Sequence, residues 1–258
     1  MQLTDQMVKE YQKNGVIKIT QIITEEEATY YRKLALTVLQ DKSKIYRYDA
    51  YADRLMIRFN MWLESPEWKK LTLHPNVVAV AEKLSGSSLR LWHDHILVKR
   101  PHNNLATEFH QDQTKWPHNN SLNALSAWIA LQDTQVEMGC MTFIPGSHSE
   151  QNLPDVKISM PNGYENIWPL ANKLKMTIPL KAGDCTFHHC RTIHMAGKNQ
   201  TNRWRVAHVV IFMDTNTTYC VDGNQIPSVL KPNEFKDGDL IAGDHFPELK
   251  DYYGYSHL

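Results

Sequence analysis

The sequence predicts a mainly β domain, a sandwich or barrel, with a helical N-terminal part packed against it. Three observations carry this. Capped helical segments fill much of residues 1–87. From residue 88 the chain breaks into short apolar or alternating runs, with turn residues and no helical pattern between them. The 258 residues are 42% hydrophobic and 22% charged, an ordinary globular composition on a chain long enough for one large domain.

Thr4 caps a helix whose Met7, Val8 and Tyr11 share a face, and Asn14-Gly15 ends it. Val16 to Thr20 alternates as a strand. Thr24 followed by Glu25, Glu26 and Glu27 opens a second helix, with the acids where the helix dipole favours them and Glu27 three after the cap; it runs to about Leu39. Residues 41–65 carry Tyr46, Tyr48, Tyr51, Phe59 and Trp62 without periodicity and read as an irregular segment lining a pocket. Ser65-Pro66-Glu67 opens a short helix. His74-Pro75 precedes another over Asn76 to Leu84, ended by Ser85-Gly86, with His74 as a turn residue. The β runs cover 88–92, 95–99, 108–112, 126–131, 141–144, 176–180, 185–189 and 205–213. Residues 147–175 and 214–258 read as long loops, and Phe235, Phe246, Tyr252, Tyr253 and Tyr255 argue that the tail is packed. With no repeat or linker, the chain is expected to be one domain over 1–258: helical support over 1–87, a β core over 88–213 and a C-terminal loop or lid over 214–258.

Formal net charge is zero and the pI is about 7.2. No basic stripe points to nucleic acid. No run approaches the roughly 18 apolar residues of a membrane span, and the N-terminus has no signal-peptide pattern. Cys140, Cys185, Cys190 and Cys220 form no Cys-x-x-Cys pair, so they are expected to be reduced thiols in a cytoplasmic protein.

The first chemical signal is His110-Gln-Asp112. Alternation along a strand would point both side chains the same way, about one metal ion apart. Alone it is weak: with 13 His and 15 Asp in 258 residues, composition supplies about one such pair by chance. The second signal is Gly183 to Arg205, which offers His188, His189 and His194 as further ligands, then Arg203 and Arg205 before the apolar run Val206 to Met213. An arginine at the mouth of a buried strand needs an anionic partner. Two His and one carboxylate leave one face of an octahedral metal open, as in non-haem Fe(II) oxygenases, and an arginine suits a carboxylate-bearing co-substrate.

At this point the sequence resembles the phytanoyl-CoA dioxygenase family of Fe(II)- and 2-oxoglutarate-dependent oxygenases, over most of the chain from the first helix to Met213. The resemblance is carried by Phe109-His-Gln-Asp112, Ala127-Trp-Ile-Ala-Leu-Gln-Asp133, Gly139-Cys-Met-Thr-Phe-Ile-Pro-Gly-Ser-His148, and His194 with Arg205 eleven residues later. It implies a double-stranded β-helix (jelly roll, cupin-like) core with helices outside. His110, Asp112 and His194 would hold Fe(II), and Arg205 would bind the distal carboxylate of 2-oxoglutarate. Trp128 would lie against the co-substrate, and Lys99 would reach it from an early core strand. Ala196 departs from the family, which often has serine two residues after the distal His; Thr142 or Thr192 is expected to supply the missing hydroxyl. Asp112 argues against halogenating relatives, whose carboxylate is replaced. The implied reaction uses O2, releases succinate and CO2, and hydroxylates a small-molecule metabolite. A cupin-type metalloenzyme without 2-oxoglutarate and a non-catalytic binding protein on the same fold are the alternatives.

Other motifs have plainer readings. His148 and Glu150, after Pro145-Gly146, are expected to fix a loop. One of His188 and His189 must face inward as a core histidine. His93 and His95 flank Asp94, but nothing supplies a third ligand. Trp116 lines the substrate space or fills the core, and Asn199 forms a turn.

Overall fold

Helix α1 (Asp5–Asn14) is capped by Thr4, whose side chain accepts from the Met7 amide, and it ends at Gly15 in the left-handed region. Glycine is required there. A Cβ would lie 2.3 Å from His148 Nδ1 and 2.4 Å from Thr192 Oγ1, so the chain is threaded between two loops of the core. Strand β1 (Val16–Ile19) follows, and then α2 (Glu25–Val38) with a complete Thr24/Glu27 capping box. Prolines at the first turn open α3 (Pro66–Thr72) and α4 (Pro75–Ser85). The computed structural model describes residues 3–40, 55–118, 120–150, 172–221, 229–230, 234–250 and 252. Tyr46, Tyr48, Tyr51, most of the 147–175 loop, and Tyr253 and Tyr255 lie outside the described residues.

The remaining strands are β2 (Met56–Phe59), β3 (Leu89–Lys99), β4 (Thr107–His110), β5 (Leu125–Ala130), β6 (Met141–Phe143), β7 (Met176–Ile178), β8 (Cys185–His189), β9 (His194–Ala196) and β10 (Arg205–Asp214). They form a major sheet in the order β1-β8-β5-β10-β3-β2 and a minor sheet in the order β4-β9-β6-β7, with every pairing antiparallel. From β3 onward the chain crosses between the two sheets repeatedly, which is the jelly roll. The helical part contributes β1 and β2 to the two edges of the major sheet, so it continues the sheet as well as covering it.

The major sheet is buried on both faces. Along β10, Val206, Val210 and Phe212 face the helices, while Ala207, Val209, Ile211 and Met213 face the minor sheet. That is why this run is apolar apart from His208 between Arg205 and Asp214. The sequence reads β3 as two runs with a gap, and the structure has one strand with a bulge. His93 pairs with Ile211 and Leu91 with Phe212, leaving Trp92 as the extra residue. The bulge turns both Trp92 and His93 inward, and this breaks the alternation that reveals a strand.

A polar cluster fastens α3 to the outer face of the major sheet. Asp94 and His208 are both completely buried. Thr72 Oγ1 donates to Asp94 Oδ2 (2.6 Å) and lies 3.0 Å from His208 Nε2. The Trp62 amide donates to the same carboxylate (3.1 Å to Oδ2). Trp68 stacks on the His208 ring with centroids 5.4 Å apart.

Candidate active site

His110 ends β4, His194 begins β9, and the two face each other across the minor sheet with ring centroids 4.3 Å apart. Asp112 Oδ1 lies 3.6 Å from His110 Nε2 and 3.5 Å from His194 Nε2. One ligand atom from each residue falls within 4.8 Å of the others, and among the described residues this is the one such group. The expected strand alternation is not how His110 and Asp112 meet. Strand β4 stops at His110, and Asp112 has helical backbone angles (φ −65°, ψ −43°) before a 3-10 turn over Gln113–Lys115. An extended chain would carry Asp112 about 7 Å further along the strand; the turn keeps its carboxylate beside the strand end.

Each donor is oriented by a second contact. His110 Nδ1–H donates to Glu108 O (2.7 Å) and His194 Nδ1–H to Thr192 O (2.9 Å), which leaves both Nε2 lone pairs facing the cluster. Asp112 Oδ2 accepts from Ser126 Oγ (2.8 Å) and His188 Nε2 (3.2 Å), leaving Oδ1 for the cluster. Burial pushes both imidazoles down, His194 further because two protonated rings this close would repel, so each is the neutral, ligating form. Burial works against the charge on Asp112. The surrounding histidines, His194 first, then His110 and His188, outweigh it and hold the carboxylate well below its usual range. These donors are the set that suits non-haem iron and leaves positions open for a co-substrate and O2.

Arg205, at the start of β10, is completely buried, and burial lowers it to about 10, so it stays charged at neutral pH. Its Nη1 donates to Gly139 O (3.3 Å), while Nε and Nη2 have no partner. Gly139 has φ +82° and comes so close to Gly197 that a Cβ would lie 2.4 Å from its carbonyl oxygen. The Trp128 ring lies 5.4 Å from the guanidinium, and its Nε1 is also buried without a partner. A buried cation with two unused donors beside an aromatic face fits a carboxylate.

The other proposed co-substrate contacts lie elsewhere. Lys99 is buried and donates to the carbonyls of Leu105 (3.3 Å), Ala196 (3.1 Å) and Gly197 (2.6 Å). Thr142 follows Met141, which lines the cavity, so it alternates outward and bonds Thr177 (2.8 Å). Thr192 Oγ1 donates to Gly15 O (2.7 Å). Among the described residues that line the cavity, the unpartnered hydroxyl is that of Thr107. It lines the cavity, is paired with Ala196 across the β4–β9 ladder, and has a buried, unpartnered Oγ1. Thr107 is three residues before His110, so regular alternation would put them on opposite faces. An irregularity in the ladder between them turns both inward.

Of the neighbouring histidines, His188 faces inward onto Asp112. His189 Nε2 bonds Leu122 O (2.9 Å), and His148 Nε2 bonds Gln12 O (3.1 Å), fixing its loop to α1. Asn199 forms a turn by donating to the carbonyls of Arg100 (2.8 Å) and Arg203 (2.7 Å). Trp116 lines the cavity, as do Leu55, Ile57 and Phe59 from the segment around β2. No described residue of 214–258 does so. Among the described residues, no helix is long and apolar enough to cross a membrane, and the four cysteines are free thiols.

The phytanoyl-CoA dioxygenase family model matches residues 11–207. The peroxisomal phytanoyl-CoA dioxygenase of Homo sapiens is 23% identical over 225 residues, 80% of this chain and 67% of that protein. Two solved structures are more similar. The epimerase SnoN, in complex with Fe3+, alpha ketoglutarate and nogalamycin RO, is 31% identical at a TM-score of 0.85, covering 95% of this chain and 98% of that one. The non-heme alpha ketoglutarate dependent carbocyclase SnoK from nogalamycin biosynthesis is 33% identical at 0.86, covering 95% and 96%. With the His-Asp-His group in a jelly-roll cavity and the buried arginine against Trp128, which lines it, the chain belongs to the phytanoyl-CoA dioxygenase family and is a non-haem Fe(II)/2-oxoglutarate-dependent oxygenase.

Proposed function

We propose that the enzyme hydroxylates a small-molecule metabolite in its cavity, with release of succinate and CO2. His110, Asp112 and His194 would hold Fe(II). Arg205 would grip the distal carboxylate of 2-oxoglutarate, with the Thr107 hydroxyl as a further donor and Trp128 as the flat wall. When bound, Fe(II) with 2-oxoglutarate and O2 supplies the oxidant that removes hydrogen from a substrate C–H bond. The protein's part is to orient the ligands through Ser126 and His188, hold the substrate and exclude water. The single observation that carries this reading is the pair of unpartnered donors on Arg205, which a cupin-type enzyme without 2-oxoglutarate would not need.

A second outcome is favoured by the relatives named above, an epimerase and a carbocyclase. The same hydrogen removal would then end in inversion or ring closure instead of hydroxyl return. The four free cysteines support placement in a reducing compartment such as the cytoplasm. The test is succinate release from 2-oxoglutarate with Fe(II) and O2 across candidate substrates. Release should require the metal and disappear in Arg205→Ala. No release with any substrate, together with no Fe(II)·2-oxoglutarate absorption band under anaerobic conditions, would sink the reading.

A further inference from the structure

We propose that His93 and His95 on β3, with Phe59 beside them on β2, are the wall that recognises the substrate, and that the substrate is an uncharged, ring-bearing molecule carrying a hydroxyl or carbonyl oxygen. This rests on the oxygenase reading of the cavity given above.

Both imidazoles line the cavity. His93 reaches it through the Trp92 bulge, which turns a residue inward that regular alternation would have turned towards the helices. His93 is 1% exposed, yet neither of its ring nitrogens has a partner, and His95 Nδ1 is buried without one. Buried polar atoms left this way are rare and costly, and at a cavity wall the missing partner is whatever fills the cavity. Burial pushes His93 well below its usual range and His95 down to about 3. Each ring is therefore neutral, with one donor and one acceptor, and complements a hydroxyl or carbonyl better than a carboxylate or phosphate.

The surroundings set the rest of the molecule. The Phe59 ring lies 5.3 Å from each imidazole, and Leu55, Ile57 and Trp116 line the same cavity. Flat aromatic groups of this kind favour a ring offset-stacked or edge-on between them. Lys115 is the one cation among the lining residues; burial lowers its pKa and so disfavours its charge, with the Asp112 carboxylate acting against that shift. Water can serve the imidazoles in the resting enzyme, and a substrate oxygen takes its place.

The test uses three naphthalene probes and the enzyme loaded with Mn(II) and 2-oxoglutarate, which gives no turnover, with binding followed by calorimetry. 2-Naphthol should bind about tenfold more tightly than 2-methylnaphthalene, about 1.4 kcal/mol, and more tightly than the anion 2-naphthoate. His93→Phe and His95→Phe should each shrink the naphthol preference while keeping affinity for the methyl compound. His93→Gln, which retains an amide donor and acceptor, should keep part of the preference and also serves if a Phe variant does not fold. Equal binding of naphthol and methylnaphthalene, no binding of either, tightest binding of naphthoate, or full preference in both Phe variants would overturn the proposal. Failure of the wild type to convert 2-oxoglutarate to succinate, measured separately, counts against the oxygenase reading and leaves the binding preference to stand or fall by itself.

Discussion

Thr107 on β4 and Ala196 on β9 face each other across the minor sheet, and between them they present a single hydroxyl to the cavity. A carboxylate arriving at Arg205 would find that hydroxyl on the strand opposite the one where the family usually carries it. Thr107→Val keeps the shape and the strand preference and removes only the donor. A hydrogen bond to a charged group contributes about 1.5–3 kcal/mol, so 2-oxoglutarate should bind at least about tenfold more weakly, as read by titration under anaerobic conditions. Adding Ala196→Ser to the same chain returns a hydroxyl from the facing strand and should recover most of the loss. Unchanged binding in Thr107→Val would remove the residue from the co-substrate contacts.

Ser126 and His188 hold Asp112 Oδ2 and would act on a bound metal through it. Ser126→Ala frees that oxygen on one side and lets the carboxylate rotate. Partners of this kind are typically worth 10–100-fold in metal affinity. Fe(II) or Mn(II) affinity should fall by about tenfold in Ser126→Ala, with the fold intact by circular dichroism, whereas Asp112→Ala should abolish retention of metal on a desalting column.

His118 gives the fold a pH dependence that is separable from the site. It is buried, both ring nitrogens lack partners, and burial, then the closeness of the His93 ring, lowers it to about 3. The folded value lies below the unfolded value of about 6.5, so the unfolded chain takes up the proton first. The stabilising effect is complete above pH 6.5 or so and is lost as pH falls towards 3. Between pH 7 and 5 this one group should cost about 2 kcal/mol. His118→Phe, packed between Trp92 and Trp116, should lose correspondingly less stability over that interval in urea titrations at the two pH values. Identical losses in the two proteins would mean that His118 is protonated in the folded state.

Much of this was legible in the residues. Caps at Thr4, Thr24 and Ser65 located the first three helices because capping is a local interaction. The run Val206 to Met213, apolar but for His208, announced a strand buried on both faces. What escaped was irregularity. The bulge at Trp92 split one strand into two apparent runs, and the distorted β4–β9 ladder hid Thr107. The three-residue strand β9 is too short to show a period at all. Asp112 does meet His110 and His194, although strand alternation, the expected reason, does not hold for it. Lys99 and Thr142 were plausible by position along their strands, but neither the carbonyls around Lys99 nor the outward turn of Thr142 can be read from one chain segment alone.

The Asp94 cluster has a consequence for how this cavity can change. Asp94 lies between His93 and His95 in the chain and points the opposite way, into Thr72, Trp62 and His208. The backbone under the two cavity imidazoles is therefore clamped from behind by a buried carboxylate that accepts from a different element on each side. A new preference in this cavity is expected to arise by exchanging the side chains at 93 and 95 on a fixed strand, since moving the strand would leave the buried Asp94 carboxyl, already pushed up to about 7 by burial, without its hydrogen-bond partners in an apolar layer. The enzyme thus keeps its recognition surface interchangeable and its support rigid, a division of labour drawn at single-residue resolution along β3.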